Sequence, residues 1–163
     1  MGRTGLETPQ EKLARRLALG VPALLLGGAL IGEHVFDLYP CEMCWWQRWP
    51  HLAAIALALV GAFAPYRRFW IAMAAGGILT SGLIGGFHAG VEYGWWEGIT
   101  GCATFTPDLS GSLDSLNAAP TTRCDQAAWT LAGISLAGFN FLISCVSAVT
   151  IFALLLGGKA KAA

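Results

Sequence analysis

Four apolar stretches, each about as long as a bilayer is thick, constrain this chain more than any other feature. They run from Leu17 to about Gly32, Trp45 to Ala64, Phe69 to about Gly90, and about Ile134 to Gly158. Each approaches the ~20 residues that a helix rising ~1.5 Å per residue needs to cross ~30 Å of hydrocarbon. Their central portions hold no Asp, Glu, Lys or Arg, where a basic residue would cost ~2.5–3.5 kcal/mol. A chain that is 55% hydrophobic and 12% charged, with mean hydropathy +0.57, is too apolar for an ordinary soluble domain. Its zero net charge offers no basic surface to nucleic acid. The expected fold is an all-α membrane protein, a single domain over residues 1–163 forming a four-transmembrane-helix bundle. Its helices are expected at about 17–35, 42–64, 69–90 and 131–157, with outer loops at about 36–41 and 91–130. A charged start before a greasy centre also fits a signal peptide, but no A-x-A cleavage site follows, and three further runs favour an anchoring helix.

Orientation follows from charge asymmetry. The N-terminal segment (Arg3, Lys12, Arg15, Arg16), the turn at Arg67 and Arg68, and the C-terminal Lys159 and Lys161 hold eight of the ten Lys and Arg residues. Only Arg48 and Arg123 fall on the other side. The positive-inside rule then puts both termini in the cytoplasm and both longer connections outside. Tryptophans 45, 46, 49, 95, 96 and 129 gather near the outer boundary and Trp70 near the inner one, as interfacial belts do. Glycines four apart, Gly82/Gly86/Gly90 and Gly28/Gly32, suggest close helix approach. In the long outer connection, Leu109, Leu113 and Leu116 suit either a short membrane-surface helix or a polar loop with scattered leucines.

Chemistry concentrates at Pro40-Cys41-Glu42-Met43-Cys44, with Gln47 and Arg48 just beyond. A C-x-x-C pair serves redox exchange, half a zinc site or c-type haem attachment. Trp45 after Cys44 removes the haem attachment motif. Pro40 suits a first helical turn, so helix 2 is expected to begin at or just before Cys41. The cysteines then sit near unpaired N–H groups and the positive end of the helix dipole, both of which favour thiolate. Arg48, four residues beyond Cys44 and seven beyond Cys41, shares their helix face. It can stabilise a thiolate or an anionic acceptor there, or simply reach to headgroups.

Cys102 and Cys124 lie in the long outer connection, and a disulfide between them is the simplest pairing on an oxidising side. It could be a plain staple worth ~3 kcal/mol. It could also exchange stepwise with Cys41–Cys44 through mixed disulfides. Arg123 beside Cys124 favours its thiolate and Asp125 opposes it. Cys145, within the last run, is expected to be a small packing residue. His34 and His51 have no evident partner in the sequence. His88, two residues from Gly86, is expected to point away from the glycine seam, towards another neighbour or lipid.

Over roughly Tyr39 to Ala137 the chain resembles the DsbB family of bacterial inner-membrane disulfide-generating proteins. The resemblance rests on Pro40-Cys41-Glu42-Met43-Cys44-Trp45-Trp46-Gln47-Arg48-Trp49-Pro50, His88-Ala89-Gly90-Val91-Glu92, Gly101-Cys102 and Arg123-Cys124-Asp125. It implies a quinone-dependent protein-dithiol oxidoreductase, multi-pass in the bacterial inner membrane, with both termini cytoplasmic and its redox cysteines on the periplasmic side. The implied partner is a periplasmic DsbA-like thiol oxidoreductase and the implied cofactor ubiquinone or menaquinone; no resident metal is expected. By the same resemblance Cys102 receives the partner's attack, Cys124 is its loop partner, Cys41 exchanges with the loop pair and Cys44 faces the quinone. Arg48 and His88 fall at quinone-side positions, Gln47 stands where relatives carry Glu or Gln, and Trp129 matches an aromatic position.

Two other classes compete. A metal- or haem-binding module would use four outer cysteines for zinc, or His34 and His88 for haem iron. The 22-residue separation of Cys102 and Cys124 is unlike a zinc knuckle. A scaffold with bracing disulfides leaves Arg48 behind the dithiol unexplained. Vitamin K epoxide reductase-like proteins also couple C-x-x-C to quinone, but Q-R-x-P and the helix count suit the DsbB family better.

Overall fold

The structure, a computed structural model, describes residues 7–101 and 122–160. Four long helices dominate: α1 (Pro9–Val35), α2 (Glu42–Phe63), α3 (Arg67–Glu92) and α4 (Leu136–Ala160). Three of them, α1, α3 and α4 through Gly157, are long and apolar enough to cross a membrane. The 22-residue α2 carries Glu42, Gln47, Arg48 and His51 in its first half, which lowers its apolar character. Chain direction alternates, so one end of the bundle gathers the start of α2 and α4 with the close of α1 and α3. The leucine-bearing stretch around 109–117 and Cys102 lie outside the described residues.

Helix α1 begins two turns before its apolar run. Thr8 and Glu11 form a reciprocal capping box, each side chain accepting from the other's backbone N–H at 3.2 Å, with Pro9 in the first turn. This arrangement satisfies amides that would otherwise be left open. The extra turns serve the end of the bundle away from the cysteines. There Glu11 accepts from Arg68 at 3.0 Å and Arg15 pairs with Glu7 at 2.9 Å. Arg68 also donates to the Leu155 carbonyl, linking α1, α3 and α4.

Packing in this half is alanine-rich. Ala14, Ala18, Ala54, Ala58, Ala74 and Ala75 are fully buried with Ile71, Ile78 and Ile151. Small side chains let helices approach and gain dispersion contact where lipid is as apolar as the core. A Cβ added at Gly82 would lie 2.9 Å from Ser144 Cβ and 3.0 Å from Cys145 Sγ. That supports both the seam at Gly82 and the packing role of Cys145. Gly86 faces Phe141 of α4, but Gly90 faces the Trp96 ring rather than a helix. The α1 pair is not a helix seam: Gly28 has nothing within 4 Å, and Gly32 meets only the Leu38 side chain.

The approach to α4 departs from an uninterrupted helix. Thr130–Leu131 and Ile134–Ser135 pair as a two-stranded antiparallel hairpin, β1 and β2. Its turn residues Ala132 and Gly133 both have positive φ, 51° and 78°, the geometry of a tight primed turn. Tyr93 OH donates to the Gly133 carbonyl and accepts from Ser135 N–H, both at 2.9 Å. Ser135 Oγ then accepts Gly138 N–H at 3.1 Å, so α4 starts at Leu136 behind a serine cap.

Gly85 occupies a close crossing of α3 with α2 and α4. A Cβ there would lie 2.9 Å from the Ala137 carbonyl oxygen and 3.0 Å from both Asn140 Nδ2 and Gln47 Oε1. Gly85→Ala should therefore destabilise the protein by about 1–3 kcal/mol, whereas Gly28→Ala should be near neutral. Thermal unfolding of the two purified variants in one detergent checks this; equal midpoints would contradict the packing described.

Candidate redox site

Pro40 precedes the helix instead of entering it, and Cys41 itself is the N-cap of α2. Its Sγ accepts from Cys44 N–H at 3.4 Å, lies 3.1 Å from Cys44 Sγ, and lies 3.6 Å from His88 Nε2. Both cysteines are free thiols. The cap position explains the convergence, since a side chain there sits over the open amides of the first turn.

His88 is buried and turned towards α2, not lipid. Gln47 Nε2 donates to the Met43 carbonyl at 3.1 Å and lies 2.9 Å from His88 Nδ1. An amide N–H₂ can only donate, so Nδ1 is the accepting nitrogen and the ring proton resides on Nε2. Nε2–H is thereby aimed at Cys41 Sγ, with Glu92 Oε1 at 3.7 Å. Three donors meet at one sulfur: the Cys44 thiol, the Cys44 amide and the His88 ring. The Cys44 hydrogen bond is the largest influence pulling the Cys41 thiol down, to about 4; burial opposes it and His88 adds to it.

Gln47 is held in turn by α4. Asn140 Nδ2 donates to Gln47 Oε1 at 2.8 Å and meets the Ser81 carbonyl and hydroxyl oxygens at 3.1 Å each. Asn140 Oδ1 accepts from Ser144 at 2.9 Å and lies 3.0 Å from His51 Nε2. Ser81 Oγ donates to the Gln47 carbonyl at 2.7 Å, which adds a further tie between α3 and α2.

Arg48 does not reach out to headgroups. It is buried, bonds Glu33 of α1 at 2.6 Å, and lies 4.8 Å over the Trp45 ring. Cys44, Gln47, Arg48, His51, His88 and Asn140 share the wall of one cavity of about 660 Å³, whose remaining wall is largely apolar and includes Trp129. Among the described residues, only two buried side-chain polar atoms lack a hydrogen-bond partner, His51 Nδ1 and Glu92 Oε2. Both residues line this cavity.

Cys124 is fully buried and disulfide-bonded. It packs in one cluster with Cys41, Met43 and Val91, and Thr100 Oγ1 donates to its sulfur at 3.4 Å. The dithiol therefore has two faces: Cys41 is packed with Cys124, and Cys44 lines the cavity. Arg123 and Asp125 pair with each other at 2.8 and 2.5 Å instead of acting on Cys124. That hydrogen bond from Arg123 holds the Asp125 carboxyl below its ordinary range.

The metal alternatives fare unevenly. A disulfide-bonded Cys124 cannot serve as a zinc thiolate. Cys41, Cys44 and His88 do place three donor atoms within 4.8 Å of one another, enough to begin a soft-ion site but one ligand short of a tetrahedral one. Sequence reasoning missed Glu33, His51, Glu92 and Asn140. The available signal was a lone amide in an apolar run, which in membrane helices marks function or a polar partner.

Apolar spanning helices and a buried, imidazole-contacted dithiol define a membrane thiol protein. The model of the family described as Disulfide bond formation protein DsbB matches residues 11–154. The chain belongs to that family, and is thus a membrane oxidoreductase of disulfide bond formation. Disulfide bond formation protein B of Verminephrobacter eiseniae is 30% identical, over 93% of this chain and 88% of its own length. Disulfide bond formation protein B 2 of Pseudomonas aeruginosa is 27% identical, over 86% and 92% respectively. An uncharacterized protein of Rickettsia prowazekii is 23% identical, over 85% and 84%. No solved structure matches.

In the reduced protein, thiolate ultraviolet absorbance should persist through neutral pH and fade only as the pH falls towards about 4. A thiol with a lowered pKa stays ionised above that value, so the signal is lost on acidification. Cys44→Ala removes the largest cause and should move the transition to higher pH. Absorbance appearing only near the ~8.5 of an ordinary cysteine would contradict this account of the site.

Proposed function

We propose that this protein reoxidises a periplasmic DsbA-like dithiol protein and passes the electrons through Cys102/Cys124 and Cys41/Cys44 to a membrane quinone. The two-faced dithiol carries this reading, with Cys41 packed beside Cys124 and Cys44 at the cavity wall. In this scheme the partner's thiolate attacks Cys102 and frees Cys124. The Cys124 thiolate then attacks Cys41 of an oxidised Cys41–Cys44 pair and releases Cys44. The partner's second thiolate then closes the partner's own disulfide and frees Cys102, which attacks Cys124 and releases Cys41. Each exchange forms one S–S bond and breaks one, and the whole sequence moves two electrons, restoring the loop disulfide and leaving Cys41 and Cys44 as a dithiol. When bound, a quinone supplies the final acceptor of two electrons and two protons, matching those lost as the Cys41–Cys44 dithiol returns to disulfide.

The cavity suits such a ligand. Its volume lies in the ordinary range for small-molecule sites, and an apolar wall with a few convergent polar groups fits a flat ring on an apolar tail. His51 and Glu92 of its wall each hold a buried polar atom without a hydrogen-bond partner among the described residues, Nδ1 and Oε2, a state that costs ~1–3 kcal/mol per group until a partner arrives. Cys44 would meet the ring, Arg48 would supply positive charge, and His88 with Gln47 would hold Cys41 as thiolate. A DsbA-like dithiol at about −120 mV needs a strong oxidant downstream, and 30 mV is worth ~1.4 kcal/mol for a two-electron couple. The orientation this requires places the bundle end bearing Cys41 in the periplasm, with α2 as a fourth span of a bacterial inner-membrane bundle. Lys and Arg asymmetry supports that.

Purified protein mixed with a reduced DsbA-like protein and ubiquinone should consume quinone absorbance in step with loss of thiols. Cys44→Ser should abolish quinone reduction, and a fully active variant would end the scheme. Cys102→Ser should stop oxidation of the partner yet leave the Cys41–Cys44 disulfide able to form. Arg48→Ala should raise the apparent quinone KM about tenfold, ~1.4 kcal/mol; an unchanged value would remove Arg48 from the quinone site. A stoichiometric bound metal with no quinone turnover would favour the Cys41–Cys44–His88 ion site instead.

A further inference from the structure

His51 lies one turn beyond Gln47 on the cavity face of α2, is only 3% exposed, and leaves Nδ1 without a partner among the described residues. What that nitrogen offers is fixed from across the bundle. Asn140 Nδ2 is surrounded by three oxygens, Gln47 Oε1, the Ser81 carbonyl and Ser81 Oγ. The amide N–H₂ must therefore face them, and Oδ1 must face His51. Ser144 donates to the same Oδ1. Hence His51 Nε2 carries the ring proton and donates it to Asn140, and in the neutral ring Nδ1 is a bare, buried acceptor on a residue of the cavity wall.

We infer that His51 is a ligand-contacting residue that recognises a ring hydroxyl, and so favours the reduced, quinol form of the ligand over the quinone. This rests on the quinone reading above. A quinone carbonyl would set lone pair against lone pair at Nδ1, whereas a quinol O–H meets it as a hydrogen bond. Favouring the reduced form at the site makes the oxidised form a stronger acceptor for the Cys44 electrons. Asn140 is the positioning residue: it touches no ligand in this scheme but holds the ring in the one tautomer that discriminates.

The test measures affinity for a short-chain benzoquinone and for its quinol, anaerobically, in the full chain carrying Cys41→Ser and Cys44→Ser. That background has no dithiol, so each ligand keeps its redox state. His51→Leu and His51→Phe, which lack any acceptor, should lower quinol affinity about tenfold and leave quinone affinity within a factor of two. His51→Asn can return an oxygen near the Nδ1 position and should retain most of the quinol preference. Equal losses for both ligands, or an unchanged ratio, would overturn the assignment while leaving the quinone site standing. Parent protein that binds neither ligand would overturn the quinone reading itself, and this inference with it. Should the Leu and Phe variants fail to fold, a folded His51→Asn protein that loses the quinol preference still contradicts the proposal.

Discussion

The hydrogen bond between Asn140 and Gln47 is the interaction on which the rest of the site depends. It joins α4 to α2 across α3, and it exists because Gly85 presents no side chain to the gap. Each amide has its orientation fixed by other partners, so the bond propagates direction as well as attraction. Through Gln47 it makes His88 a donor towards Cys41; through Asn140 it leaves His51 Nδ1 a bare acceptor. A buried polar chain of this kind specifies one arrangement when every member is satisfied, and is costly when one is not. Among the described residues every member is satisfied except at one atom, His51 Nδ1, which is buried and left over.

The two halves of the bundle divide the work. Away from the cysteines, alanines and isoleucines pack closely, and Arg68 ties three helices together. That half holds helix positions without chemistry. At the other end the contacts are more polar, and α1 is held to α2 by the Arg48–Glu33 pair. Breaking a buried pair strands one charge, typically at 3–5 kcal/mol. The same cation can thus close the cavity wall and set its field. Across the dithiol the environment changes sharply, with a packed apolar cluster around Cys41 and Cys124 and the open cavity beside Cys44.

Much of this was legible in the amino-acid sequence, for identifiable reasons. Hydrocarbon thickness sets helix length, so the apolar runs disclosed the helices, and C-x-x-C beside Gln47 and Arg48 disclosed the dithiol. Local signals were misread where two rules competed. Thr8, Pro9 and Glu11 started α1 within a charged segment, because capping outweighed hydropathy there. Ala132-Gly133 turned a hairpin where continued apolar character suggested helix. The partners of His51, His88 and Arg48 were not legible, because Asn140, Cys41 and Glu33 meet them only through packing between helices. No periodicity within one helix reports which residue of another it faces. Gly85 shows the same limit: it falls outside the four-residue glycine spacing, yet it makes room for the central hydrogen bond.

The most direct measurement is the tautomer of His88 in reduced protein labelled with 15N-histidine. Imidazole nitrogens that bear a proton are distinguishable by NMR from those that do not. The account requires the proton on Nε2 and a bare, hydrogen-bonded Nδ1 facing Gln47. A proton on Nδ1 of a neutral ring would contradict it, because the Gln47–Asn140 chain would then run in the opposite sense and His88 could not donate to Cys41.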